Sequence, residues 1–381
     1  MTSINTPPHG SSSSVRNYGI DLLRMLSMYM VCVLHVIGQG GIFDGTRNMP
    51  GKYCIAWLLE ISAYCAVNCF ALISGYVGVT AKFRYRNLVR LWLQVLFWSC
   101  VLALGCKFFY PEAVSGKDLL KSLFPASTGA YWYFSSYVLM FFTIPLMNFL
   151  LLNAEKSLLK TFFFTCFVLY SLLGCLPGLE GLGAQLKAGY SAIWLAMLYM
   201  VGGFVRLHCI EELFSIAPNA RNYLVNCYNG VISWLFATPA RRLLIYAACV
   251  GITFIIRTGG HFVVTKLIGS DPICCRIVSY LSPTIVLCSL LLLDFFAKLA
   301  VGQRLARIIQ MASPIAFGVY LIQNQRQIWK LVFRGAFEYV GVKSPIWLLP
   351  FAILASAAGI YVVCSMLDWL RLKLFKLLKL T

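Results

Sequence analysis

Within one apolar run of this 381-residue chain, Tyr18–Ile37, stand an aspartate, an arginine and a histidine: Asp21, Arg24 and His35. Ionisable groups are costly in hydrocarbon and persist there where they are paired, hydrated or functional. Arg24 and His35 are eleven positions apart. At 100° per residue that offset falls roughly 20° from three full turns, so the two share a helix face, and a rise of 1.5 Å separates them by roughly 16 Å along the axis. A fixed cation and an imidazole at different depths of one face suit chemistry or transport inside a membrane. The imidazole can take a proton from a hydroxyl near neutral pH, as a general base does. The guanidinium can hold an anionic donor group or polarise a carbonyl; it can also pair with Asp21, three residues before it. The other histidines are placed differently: His9 in the polar head, His208 at a helix end, and His261, in Arg257-Thr-Gly-Gly-His261, in an outer loop.

Further polar groups sit in or beside apolar runs. The second run carries Glu60, then Asn68-Cys-Phe-Ala-Leu-Ile-Ser74-Gly75-Tyr76. The small residues there permit close helix contact, and Glu60 is placed in the interior or near the outer end, where Arg24 or Arg326 could pair with it. Lys82-Phe-Arg84-Tyr-Arg86-Asn-Leu-Val-Arg90 is densely basic. It reads as a topology determinant, or as a phosphate site, since arginine forks match phosphate oxygens. Tyr131-Trp132-Tyr133-Phe134-Ser135-Ser136-Tyr137 opens the fourth run, as interfacial aromatics do; such rings also stack on sugars. Gln323-Asn324-Gln325-Arg326 is too polar to face lipid, so part of it must line an interior cavity.

The elements that position these groups follow from composition. Hydrophobic residues make up 60% of the chain and charged ones 12%, with a mean hydropathy of +0.78; soluble domains carry about 25% charged residues. A membrane span needs about 20 apolar residues. Such runs fall at 18–38, 54–79, 88–109, 131–152, 157–176, 189–207, 243–257, 276–297, 312–333 and 346–367, the seventh being short. The expectation is an all-α polytopic membrane protein, with about ten transmembrane helices in one bundle. The formal charge of +19 does not point to nucleic acid. Lys and Arg concentrate at Lys82–Arg90 and at Arg371, Lys373, Lys376 and Lys379, and that bias places both termini in the cytoplasm.

Residues 1–14 are Ser/Pro-rich and read as disordered. The first run is too long for a signal-peptide core and reads as an uncleaved anchor. Between runs, 208–242 is the longest stretch; its Tyr223, Leu224, Val231, Trp234, Leu235 and Phe236 suggest an interfacial helix. The Leu/Lys tail reads as a helix end that snorkels its lysines to anionic headgroups. Fifteen cysteines lie mostly within the runs, with no CxxC; Cys274 and Cys275 are adjacent. That spacing fits no zinc cage, so they read as small packing residues and no metal is expected.

In order and spacing these segments resemble the acyltransferase 3 family of integral-membrane acyltransferases. Gly19-Ile20-Asp21-Leu22-Leu23-Arg24 followed by His35 resembles the family's first-span Arg/Lys-x10-His motif. Phe70-Ala-Leu-Ile-Ser74-Gly75-Tyr76 resembles its FxxSGY-type segment, and Trp132-Tyr133-Phe134 with Tyr137 and Pro145 its fourth-span aromatic segment. Ser313 with Phe317-Gly318-Val-Tyr320-Leu-Ile resembles its late SFGVYLIH segment. Gln323 stands where many members have a histidine, and Tyr131 where many have a histidine before the tryptophan.

The resemblance covers nearly the whole chain. It implies a transmembrane acyltransferase domain over 15–368, flanked by a cytoplasmic head, 1–14, and a basic tail, 369–381. The donor would be acyl-CoA, acetyl-CoA first, from the cytoplasm. The acceptor would be an outer hydroxyl on a polysaccharide, a lipid-linked sugar or another envelope molecule, with the protein in the plasma membrane among its lipids. His35 would be the base and Arg24 its partner. Arg84, Arg86 and Arg90 would hold the donor's phosphates, and Ser74, Tyr137, Gln323 and Asn324 would orient substrates. Two other readings remain open on the residues alone: a secondary transporter or flippase with a proton path through His35 and Arg24, whose usual inverted repeats are not visible here, and a membrane sensor or scaffold without catalysis.

Overall fold

The computed structural model of the chain describes residues 16–176, 179–216, 222–268 and 276–380. The Ser/Pro-rich head, with His9, and the Cys274–Cys275 pair lie outside the described residues. Helix α1, Tyr18–Ile37, starts at Asn17, whose side-chain oxygen accepts from the Ile20 N–H at 3.1 Å. The Asn17 amide also donates to the Ala297 carbonyl at 2.9 Å, which ties the start of α1 to the end of a distant helix. Helices α2, Pro50–Ala63, and α3, Ala66–Gly78, form one bent span. There follow α4, Tyr85–Phe109; α5, Trp132–Asn153; α6, Lys156–Cys166; α7, Ala192–His208; α8, Tyr223–Phe236; α9, Pro239–Ile268; α10, Pro283–Ala297; α11, Gln303–Ala312; α12, Ala316–Gln323; and α13, Leu349–Leu377.

Among the described residues eight helical stretches are long and apolar enough to cross a membrane, and α7 and α10, of 17 and 15 residues, are shorter apolar helices. The described residues contain no strand. Leu104, Phe142, Leu146, Phe149, Phe351 and Val363 are exposed. Outward apolar faces with all backbone groups bonded along the helices are what a lipid surround demands. The chain is an all-α, multi-pass membrane protein.

Helix α1 packs against α2, α3, α10, α11, α12 and α13, so its ionisable face is enclosed by the bundle. Helices α3 and α7 cross most closely, as the small residues of the second run suggest. A Cβ at Gly75 would fall 1.8 Å from the Tyr199 carbonyl oxygen, and one at Gly202 would fall 2.1 Å from that of Leu72. Backbone cannot yield as a flexible side chain can, so Gly202→Ala forces the helices apart. Such overpacking costs about 1–3 kcal/mol. Gly251 in α9 has no atom within 4 Å of its would-be Cβ. Thermal unfolding of detergent-purified protein is expected to show a Tm several degrees lower for Gly202→Ala, with Gly251→Ala unchanged or slightly higher.

Three spans differ from the sequence reading. The seventh is a helix of 30 residues rather than a short run, and it carries the backbone of His261, expected in a loop. Charge at Arg242 and Arg257 looks like a boundary but is accommodated inside. Arg242 is buried and pairs with Asp294 at 2.6 Å, and Arg257 lies over the Trp57 ring at 4.3 Å from its centroid. The eighth span starts late, because Pro283 occupies its first turn, where a proline without N–H is tolerated. The ninth starts early, at Gln303, and stops at Gln323; a separate helical segment begins at Arg326, capped by the Gln325 side chain. The tail continues α13 to Leu377, and α8 forms over the expected segment with Tyr223, Leu224, Val231 and Trp234 exposed. The described cysteines are free thiols and many are buried, Cys32, Cys65 and Cys69 among them.

Candidate functional site

The last turn of α1 carries His35, and α12 reaches it with Gln323. His35 Nδ1 and Gln323 Oε1 are 3.0 Å apart. The amide orientation is set on its other side: Gln323 Nε2 donates to the Val319 carbonyl at 3.2 Å and to Cys32 Sγ at 3.0 Å. With the amide NH2 spent there, the oxygen faces the ring, so Nδ1 carries the hydrogen and donates. Nε2 is left as the lone-pair nitrogen and has no hydrogen-bond partner among the described residues. A fixed tautomer with a free basic nitrogen is what a general base needs. Trp329 stands edge-on to the imidazole at 4.8 Å, on the π-helical segment Trp329–Phe333. Such segments occur frequently at functional sites.

His35 lines a cavity of about 340 Å³, together with Glu60, Tyr133, Tyr320, Asn324 and Trp329. Glu60 is 9% exposed, and its Oε2 has no hydrogen-bond partner. The pairings that the sequence suggests for Glu60 are not made: Arg24 bonds elsewhere, and Arg326 is exposed in a different, polar pocket beside Asp118 and Lys121. Asn324 faces the cavity from the break after α12, its amide donating to the Tyr320 carbonyl at 3.3 Å.

Arg24 lies toward the other end of α1. Its Nη1 donates to Asp21 Oδ1 at 2.6 Å and to Ser313 Oγ at 3.2 Å; the Ser313 hydroxyl donates in turn to Asp21 Oδ1 at 3.1 Å. Arg16 holds the second Asp21 oxygen at 2.5 Å. The Arg24 side chain keeps a third of its surface exposed, and its Nε and Nη2 make no hydrogen bond with the described residues. Tyr137 and Tyr133 both lie within its electrostatic reach. Tyr133 thus feels the Arg24 charge and lines the His35 cavity.

Beyond Ser313 a second pocket, of about 260 Å³, opens among Asn87, Arg90, Gln94, Pro314, Arg371 and Phe375. Arg90 is exposed at its rim, while Arg84 and Arg86 are exposed at the start of α4 and do not line it. Sequence reading missed Arg371 here. Asp368 sets its position: this fully buried carboxylate accepts from Arg371 Nη2 at 2.6 Å and Nε at 3.0 Å, from Trp98 Nε1 at 2.7 Å and from Gln94 Nε2 at 3.3 Å. Gly318 makes room for it, since a Cβ there would fall 2.0 Å from Asp368 Cγ.

Of the residues expected at a site, the structure brings His35 and Asn324 to one cavity, with the buried Gln323 bonded to the His35 ring. Arg24 sits with Asp21 and Ser313 at a second place, its charge reaching Tyr137, and Arg90 stands at a third. Ser74 joins none of these; its hydroxyl donates to the Phe70 carbonyl of its own helix at 2.8 Å. Glu60, Tyr133, Trp329 and Arg371 are additions. Among the described residues no group of three or more His, Cys, Asp or Glu is arranged to hold a metal ion.

A family model described as an acyltransferase domain matches residues 17–365. No curated protein matches the chain, and no solved structure does.

Proposed function

The chain belongs to the acyltransferase domain family, and from that premise we propose that it moves an acyl group, acetyl first, from acyl-CoA to a hydroxyl of an extracytoplasmic carbohydrate or other envelope acceptor. The observation that carries the reading is His35, held by Gln323 through Nδ1 with Nε2 free at a cavity large enough for part of a substrate. Positive-inside counting supports an Arg24 end in the cytoplasm and a His35 end outside, in the plasma membrane.

In this mechanism the donor's phosphates dock at the basic mouth formed by Arg90 and Arg371, with Arg84 and Arg86 nearby. The pantetheine arm passes Pro314 and Ser313 toward Arg24, whose two unengaged guanidinium nitrogens are available to the donor. Tyr133, Phe317 and Tyr320 line the His35 cavity, and in this mechanism the thioester meets the acceptor at that wall. His35 Nε2 takes the proton of the acceptor hydroxyl, the oxygen attacks the thioester carbonyl, and the C–S bond breaks to release CoA thiolate. Tyr137 orients the donor and Asn324 the acceptor.

The test is transfer from radiolabelled acetyl-CoA to methyl glycosides in membranes carrying the protein. Label in the glycoside with one free thiol released per ester formed is expected. Thiol release no greater than in membranes without the chain would sink the proposal. Arg90→Ala is expected to raise the KM for acetyl-CoA by roughly tenfold with kcat little changed, since a lost charge-assisted hydrogen bond is a binding loss; steady-state kinetics in the same membranes check it.

A further inference from the structure

Glu60 is a buried carboxyl on the wall of the His35 cavity, and one of its oxygens bonds to nothing. Buried polar groups are almost always hydrogen-bonded, and those that are not call for a specific explanation. No cation among the described residues pairs with Glu60. Its immediate surroundings are aromatic. Trp132 and Tyr280 stack at 6.1 Å with planes 21° apart; Tyr64 lies 5.0 Å from Tyr280, and Tyr190 lies 4.9 Å from Tyr280 and 4.5 Å from Trp132. All four rings line the same cavity as His35 and Glu60. The rings pack on one another as a wall rather than opening into a box around a small cation.

A ring wall, one hydrogen-bond acceptor without a partner and a general base in one cavity match one kind of molecule. It has a flat C–H face for the rings and at least two neighbouring hydroxyls, one for the carboxyl and one for the base. A pyranose has both. An acceptor that is purely hydrocarbon apart from its reacting hydroxyl would leave Glu60 unsatisfied. We propose that Glu60 holds the acceptor sugar: one ring hydroxyl donates to its carboxyl while the Trp132–Tyr280 wall receives the sugar's face, and the next hydroxyl is presented to His35. This rests on the acyl-transfer reading and assigns the acceptor half of it to named residues.

Dicyclohexylcarbodiimide, which modifies protonated carboxyls in apolar surroundings, provides a readout independent of catalysis. Full-length protein in membranes is treated with the reagent, with and without methyl hexopyranosides, and adduct at Glu60 is followed by mass spectrometry. The glycosides are expected to suppress that adduct. In parallel, Glu60→Ala and the isosteric Glu60→Gln are expected to raise the KM for the glycoside by about tenfold for Ala and less for Gln, which keeps an acceptor oxygen, while the KM for acetyl-CoA moves by less than about twofold. Adduct formation that no glycoside slows overturns the proposal, as does an unchanged glycoside KM in Glu60→Ala. Protection by choline rather than by glycosides overturns the sugar assignment. If glycosides protect Glu60 while wild-type protein transfers no acetyl group, the acyl-transfer reading fails and the sugar site stands.

Discussion

Replacing His35 by alanine is expected to lower acyl transfer by about 10²–10⁴-fold, the range over which a positioned general base contributes. The loss should fall on kcat, because the acceptor keeps Glu60 and the ring wall and the donor keeps the pocket at Arg90 and Arg371. Gln323→Leu separates the two things the imidazole needs. It leaves the base in place but removes the oxygen that holds Nδ1–H at 3.0 Å, so the ring can turn and adopt either tautomer. Its activity is expected between wild type and His35→Ala. Initial rates of labelled ester formation, normalised to protein by immunoblot, measure both. Wild-type rates from a well-expressed His35→Ala protein would remove His35 from the mechanism.

Arg24→Ala is expected to cost about 10²–10³-fold, as the loss of one preorganised donor at a developing charge does. The structure makes the conservative variant the more informative. The Arg24 guanidinium uses one nitrogen on Asp21 and Ser313 and keeps two others unengaged. A lysine carries one ammonium at the end of a flexible stem and cannot hold that pair and reach a donor at once. Arg24→Lys should therefore retain folding but remain at least about tenfold below wild type. Arg16 still holds Asp21 in either variant, which limits the structural damage; thermal unfolding and labelled transfer, read together, separate the two effects. Full activity in Arg24→Lys would reduce Arg24 to a neutraliser of Asp21.

What could be read from the chain and what could not divides along sequence separation. The shared face of Arg24 and His35 lies within one helix and needs only its geometry. The α3–α7 approach was visible in small residues, at least on the α3 side. The partners that give these groups a function come from far away: Gln323 is 288 positions from His35, and Ser313 is 289 from Arg24. No local pattern announces such pairs. Charged residues misled where burial was compensated, so the seventh span looked short because Arg242 and Arg257 looked like ends. Hydroxyls misled in the other direction. Ser74 sits in a motif-like segment, yet its side chain bonds the carbonyl four residues back, a common fate of helical serine. Glu60 was noticed as a buried acid, but its lack of a partner, the property that gives it meaning, exists only in three dimensions.

The two short helices, α7 and α10, bear on energetics as well as on shape. At 1.5 Å per residue they span about 26 and 22 Å, against about 30 Å of hydrocarbon, and Tyr190 and Tyr280, just before their first turns, line the His35 cavity. Where the insulating layer is thin, the electric field across an energised membrane is concentrated. On the proposed path the acceptor's proton leaves through His35 on one side, while the departing thiolate takes up its proton on the other. Each turnover then carries one elementary charge through that field, worth about 2.3 kcal/mol per 100 mV. With Arg24 inside, the charge moves outward against a negative interior, so ester formation would work against the membrane voltage and slow as the cell becomes more energised.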